Sequence, residues 1–212
     1  MKRIFTTILL SIILLSADAQ IEKLAGPKVG ITMVSSGSLA SILRKDVGIF
    51  SDEVREEWTG STGKYGAVMS QYGWQWESRF SDAGNITGIV EWIALVGGME
   101  KGMFLPSVSS MVGVRTSKGI EFAVGPNLSL GGIAMVFGAG YNFKFGELNV
   151  PINIAYVPSM DKTYNHEAEY DHTHMWDDDG NSIPPVLESP AYSVTHPTGA
   201  RVSIMVGFNL GK

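Results

Sequence analysis

The 212-residue chain has no cysteine. Disulfide staples are therefore excluded, and so is a lipid-anchored N-terminus, whose acylation site needs a cysteine. Basic residues are outnumbered, 16 to 21, which argues against nucleic acid as a partner because nucleic acid asks for a basic footprint. Beyond residue 15 there is no apolar run long enough to span a bilayer as a helix. If the mature chain lives in a membrane, only a closed β-barrel is open to it.

The one continuous apolar run is at the start. Lys2 and Arg3 precede Ile4 to Leu15, and Ala17-Asp18-Ala19 follows. A positive segment, a short apolar segment and an A-x-A site make residues 1–19 a secretory signal peptide cut before Gln20. Its loss takes Lys2, Arg3 and Asp18 with it, leaving 14 basic and 20 acidic residues and a formal charge of −6. Residues 20–212 then form one domain of ordinary size.

The clearest pattern in the chain runs from Gly131 to Pro158, and its period is two. Ile133, Met135, Phe137, Ala139, Tyr141, Phe143 and Phe145 alternate with Ala134, Val136, Gly138, Gly140, Asn142 and Lys144. After Phe145-Gly146-Glu147, Leu148, Val150, Ile152, Ile154 and Tyr156 alternate with Asn149, Pro151, Asn153 and Ala155. Successive strand side chains point to opposite faces. Each arm therefore has one large apolar face and one small or polar face. Arms this long, greasy on one side and small-polar on the other, fit a transmembrane β-barrel better than a soluble sandwich.

The rest of the chain follows the same grammar. Gln20 to Pro27 reads as a lead-in and Lys28 to Ser36 as the first strand, with Val29, Ile31 and Met33 on one face. Ser35 to Gly63 is a long charged connection, in which Val47, Phe50, Val54 and Trp58 recur at helical spacing. Lys64 to Phe80 sets Tyr72, Trp74 and Trp76 opposite Glu77. Ile86 to Val96 is apolar on both faces except for Glu91. Met103 to Thr116 puts Phe104, Val108, Val112 and Val114 opposite Ser107, Ser109, Gly113 and Arg115. A fifth strand places Ile120, Phe122 and Val124 against Glu121, Ala123 and Gly125. After the hairpin comes a long segment, Ser159 to Thr198. The eighth strand, Gly199 to Leu210, sets Val202, Ile204, Val206, Phe208 and Leu210 against Arg201, Ser203, Gly207 and Asn209. Pro106, Pro126 and Pro151 each remove a ladder donor, so a bulge or shifted strand boundary is expected.

The strand count is even, and connections two, four and six are short while one and seven are long. In an up-and-down barrel with periplasmic termini, odd connections face outside. Aromatics gather near strand ends: Phe80, Phe122, Phe143, Phe145 and Phe208 on one side, Tyr65, Phe104 and Tyr156 on the other. Interfacial girdles look like this.

With the leader, eight alternating strands, long odd connections and the final Val-x-Ile-x-Val-x-Phe-x-Leu strand, the chain resembles the small outer-membrane β-barrels of the OmpX and OmpA-barrel type. Gly97-Gly98-Met99-Glu100-Lys101-Gly102 and Glu121 to Asn127 are similar to segments of such proteins. One departure is that Gly211-Lys212, not an aromatic, closes the chain. The expectation is an all-β, eight-stranded antiparallel up-and-down transmembrane β-barrel. It would sit in the cell outer membrane among outer-membrane lipid, with loops 35–63 and 159–198 external.

On this register the lumenal face carries Glu77, Glu91, Arg115, Glu121, Lys144 and Arg201. An eight-stranded barrel is filled by side chains, and isolated buried charges are costly. The main expectation is a charge-balanced structural network with room left by Gly138 and Gly140; the sharper one is a proton or ion path. All four histidines fall within Ser159 to Thr198. His172 and His174 with Asp171 or Asp177 form a candidate metal set, against a solvated acidic loop as the plainer expectation. The Asp177-Asp178-Asp179-Gly180-Asn181 run lacks EF-hand ligand spacing. Tyr164, Tyr170, Met175, Trp176 and Tyr192 suggest partial order or partner contact there.

No catalytic motif is recognisable and no cofactor is expected. The expected role is therefore a non-catalytic anchor presenting its external loops to a ligand or to an extracellular or outer-membrane protein. A soluble exported β-barrel binding a small apolar molecule is one alternative, with faces reversed. A lipid-modifying enzyme built on Ser193, His196 and Glu188 is the other.

Overall fold

The computed structural model describes residues 23–44, 65–171 and 185–211. The expected leader at 1–19 and the helical spacing at Val47, Phe50, Val54 and Trp58 lie outside these residues. Eight positions in the chain order carry long strands: β1 (Lys23–Val34), β2 (Ala67–Asp82), β3 (Ile86–Gly97), β4 (Leu105–Thr116), β5 (Ile120–Ser129), β6 (Gly132–Phe145), β7 (Leu148–Val157), and a divided last one. Between β7 and that last strand stand four short strands, β8 (Asp161–His166), β9 (Glu169–Asp171), β10 (Val186–Ser189) and β11 (Tyr192–Pro197). The last strand is β12 (Arg201–Gly207) followed by β13 (Asn209–Gly211).

Each long strand pairs antiparallel with its sequence neighbour, and β12 and β13 pair with both β7 and β1. The result is a closed ring of eight antiparallel strand positions, compatible with a β-barrel. Closure leaves these strands with no unpaired sheet edge.

Two boundaries differ from expectation. The lead-in ending at Pro27 is in fact the first part of β1, which pairs with β2 from Lys23↔Ser78 onwards. Pro27 is tolerated because its carbonyl still accepts a hydrogen bond, from the Phe208 N–H at 3.0 Å. The final strand is not continuous either. It breaks at Phe208, where β1 comes so close that a Cβ on Gly26 would lie 1.8 Å from the Phe208 carbonyl oxygen.

The turns between β2 and β3, β4 and β5, and β6 and β7 are short and share one end of the ring. The other end carries the remaining connections. There the chain forms helix α1 (Ser38–Arg44), just after β1 and before the residues of helical spacing. Leu39, Ala40 and Leu43 of α1 bury against Val34, Ala67, Met69 and Leu105, an apolar plug over that mouth. The Leu39 N–H donates to the Thr198 carbonyl at 3.3 Å and fastens the helix to the segment that leads into β12, the neighbour of β1.

The described parts of the Ser159 to Thr198 segment, residues 159–171 and 185–198, carry strands where a solvated loop was the plainer expectation. β8 pairs with β11, and β9 with β10, as an antiparallel ribbon extending the β7–β12 hairpin beyond the ring. Its polar cross-strand contacts hold it: Thr163 to Thr195 at 2.8 Å, the Ser193 hydroxyl donating to Asn165 at 2.7 Å, and His166 stacked on Tyr192.

Period two sorts the ring's side chains. Outward positions such as Ile31, Trp74, Trp92, Val112, Phe137, Ile154 and Ile204 are exposed and apolar. Inward positions carry small, polar and charged groups together with an apolar cluster of Ile93, Met111, Val136 and Val157. Among the described residues no helix is long and apolar enough to cross a membrane.

Candidate functional site

Four of the six expected interior charges, Glu77, Glu91, Arg115 and Glu121, are buried. They belong to one hydrogen-bonded chain that crosses the ring. Arg115 Nη1 and Nη2 donate to the two carboxylate oxygens of Glu77, both at 2.6 Å, and Arg115 Nε donates to Glu121. The second Glu121 oxygen accepts from Asn153 Nδ2 at 3.2 Å. Asn153 Oδ1 accepts from Lys28 Nζ at 3.0 Å, Lys28 donates also to Gln75 at 2.7 Å, and Gln75 Nε2 donates to Glu91 at 2.5 Å. A bidentate guanidinium–carboxylate pair is the strongest geometry available to such groups.

The remaining two expectations need correction in part. Lys144 shares the inward parity of Asn142 but lies past the rim, near the β6–β7 turn, and is exposed. It joins no network. Arg201 does face inward, yet at the plugged end, where it donates to Ser129 and Asn127 at 3.2 and 3.0 Å rather than to a carboxylate. The missing cation is Lys28, buried at the centre of the network. The signal was available: Lys28, Gly30 and Thr32 share a parity opposite Val29, Ile31 and Met33. Replacing Lys144 by Lys28 keeps three acids and three bases inside the ring.

Gly140 makes the arrangement fit. A Cβ there would meet Asn153 Nδ2 at 2.3 Å and the Ile152 carbonyl oxygen at 2.5 Å. The space of that absent side chain is where the Asn153 amide bridges Lys28 and Glu121. Beside the network is a cavity of about 70 Å³ lined by Lys28, Glu91, Glu121, Arg201 and neighbouring apolar groups. It has the size for a few water molecules, not for a solute path.

The metal candidates His172, His174 and Asp177 lie outside the described residues, and of Asp171 only the backbone, in β9, is described. The nominated hydrolytic set does not converge. Ser193 and His196 are three apart on β11, and therefore on opposite faces. Ser193 is exposed, whereas His196 is buried and pairs in register with Lys162.

No family model matches this chain, and no curated protein matches it in sequence.

Proposed function

We propose that the chain is an outer-membrane β-barrel of the OmpX and OmpA-barrel kind, a non-catalytic anchor that holds the β8–β11 ribbon and its neighbouring connections outside the membrane for a ligand or a protein partner. The observation that carries this reading is the reversal of the usual polarity. Large apolar side chains cover the outer wall on every long strand, while a bonded network of glutamates, lysine and arginine is buried inside beside one small apolar cluster. Water would be a poor solvent for such a wall, since exposed apolar surface of that extent marks contact with a membrane or another protein. Lipid satisfies it all round. Flanking aromatics at both ends of the strands, among them Phe80, Phe122, Phe145, Tyr65 and Phe104, are exposed as interfacial girdles require.

A polar, tightly bonded interior supports anchoring over transport, because the charges are spent on one another. The soluble alternative, a carrier of a small apolar molecule, needs room for that molecule inside, and the interior cavity here is about 70 Å³, with Lys28, Glu91, Glu121 and Arg201 set among its apolar lining. The test is fractionation of the expressing cell combined with gel mobility before and after heating. Recovery in the outer membrane with a heat-dependent shift supports the reading. Recovery in the soluble fraction ends it.

A further inference from the structure

The end of the ring away from the plug is open, and its chemistry differs from everything else in the molecule. A bowl of about 490 Å³ is sunk into it. Four cationic side chains, Arg79, Arg115, Lys118 and Lys144, line the bowl, and no carboxylate does. Arg115 forms its floor with its charge committed to Glu77 and Glu121, and Arg79 has a partner of its own. Lys118 and Lys144 are in no ion pair among the described residues. The nearest turns do carry acids, Asp82 and Glu147, but neither lines the bowl.

A second observation comes from the wall. Asn142 is buried and lines the bowl, and its Oδ1 has no hydrogen-bond partner among the described residues, while its Nδ2 donates to Asn149 at 3.1 Å. That oxygen is an acceptor, and buried without a partner it costs free energy unless an O–H or N–H of a ligand or of water meets it. The Ser117 hydroxyl joins the lining. Two free ammonium groups and a hydroxyl around one hollow supply donors, and the Asn142 oxygen supplies an acceptor for a ligand oxygen that carries a proton. They match a tetrahedral oxyanion.

We propose that this bowl binds a phosphate group, with Lys118 and Lys144 as its principal contacts. The phosphate is either that of a soluble compound or that of a lipid head group. The second source has its own support: the outward-facing Phe143 and Phe145 also edge the bowl, so it opens where the apolar wall ends. The proposal does not depend on what surrounds the outer wall, because the bowl is formed by side chains of the ring's end alone.

The test uses the full chain folded in maltoside micelles, whose head groups carry no phosphate. It is titrated with inorganic phosphate while the backbone amide resonances of Ser117, Lys118, Asn142 and Lys144 are followed. A saturable shift confined to the bowl is expected, absent from the Lys118→Ala/Lys144→Ala variant and absent with chloride at matched ionic strength. Both lysines are exposed, so the variant retains the parent's amide dispersion elsewhere. A parallel sample with phosphatidylglycerol added to phosphate-free micelles separates the sources: a response to the lipid alone assigns the head group, and a response to inorganic phosphate alone assigns a soluble compound. No saturable shift with either probe, an equal response to chloride, or an undiminished response in the double variant would overturn the proposal.

Discussion

Trp76 and Glu77 are consecutive in β2, yet Trp76 is 49% exposed on the outer wall and Glu77 is 1% exposed inside, held by both Nη atoms of Arg115. The two faces of one strand are thus stabilised by different means. Inside, ion pairs and hydrogen bonds compensate for desolvation, and each partner is needed by the next. Outside, the apolar groups gain nothing from the protein itself and depend on what covers them. The inner face is self-sufficient; the outer face is not.

The largest effect that would break this contrast is expected at Arg115. Arg115→Ala strands Glu77 and Glu121 as buried carboxylates without their guanidinium, a loss of about 3–5 kcal/mol. Urea unfolding in bilayers measures it, and a loss below about 1 kcal/mol, the value of a surface pair, would mean the interior is wet. On the outer face, Ile152→Arg puts a charge halfway along β7. In bilayers it is expected to cost about 2–4 kcal/mol, by the same unfolding assay. An unchanged midpoint would mean that lipid does not touch that wall.

Gly140→Ala sharpens the account of the interior. The new methyl displaces Asn153 and meets backbone as well, so about 1–3 kcal/mol is expected from overpacking. Loss of the Asn153 side-chain amide signals from their parent positions would accompany it.

The smallest effect is at the ring's end, in the turn between β3 and β4, where the Glu100 carboxylate accepts from the Ser70 N–H at 3.0 Å and from the Ser70 hydroxyl. Its slight burial would raise its pKa, but those bonds outweigh that and hold it below the ordinary carboxylate value. A group lowered in the folded state stabilises above its unfolded pKa, and the contribution disappears as pH falls through the folded one. Glu100→Gln is therefore expected to cost under about 1 kcal/mol near neutral pH and nothing in acid. A pH series of unfolding midpoints for both proteins checks it.

Strand faces were legible because alternation is strict where one side must be apolar and the other must not. Seven wall positions kept the faces their residues suggested, down to Phe208 and Asn209 on either side of the break in the last strand, while β3, apolar on both faces, offered only Glu91 as a guide. What was not legible has local causes. Pro27 reads as a stop, but a proline whose carbonyl still bonds can sit in a paired strand, and misreading it put Lys28 at the end of a strand instead of well within one. Parity alone cannot tell Asn142 from Lys144, because it says which face a residue is on and not where the ring ends. Helix α1 spans seven residues, too few for a 3.6-residue period to stand out. The β8–β11 ribbon mixes polar residues with Tyr170, Val186, Leu187 and Tyr192 in short strands, so it lacks the sustained hydrophobic alternation that betrays a strand. Its threonine, serine and asparagine contacts become visible only once the register is known.

The absence of cysteine makes the most direct measurement simple. Single cysteines placed in turn at positions 72 to 77 of β2 can each carry a spin label in the folded chain reconstituted into bilayers, and collision with oxygen and with a water-soluble nickel complex reports the surroundings. Labels at 72, 74 and 76 are expected to meet oxygen and not nickel, as lipid-facing groups do, while labels at 73, 75 and 77 meet neither freely. Nickel access at 72, 74 and 76, or loss of the alternation, would contradict a polar interior wrapped by a lipid-facing wall.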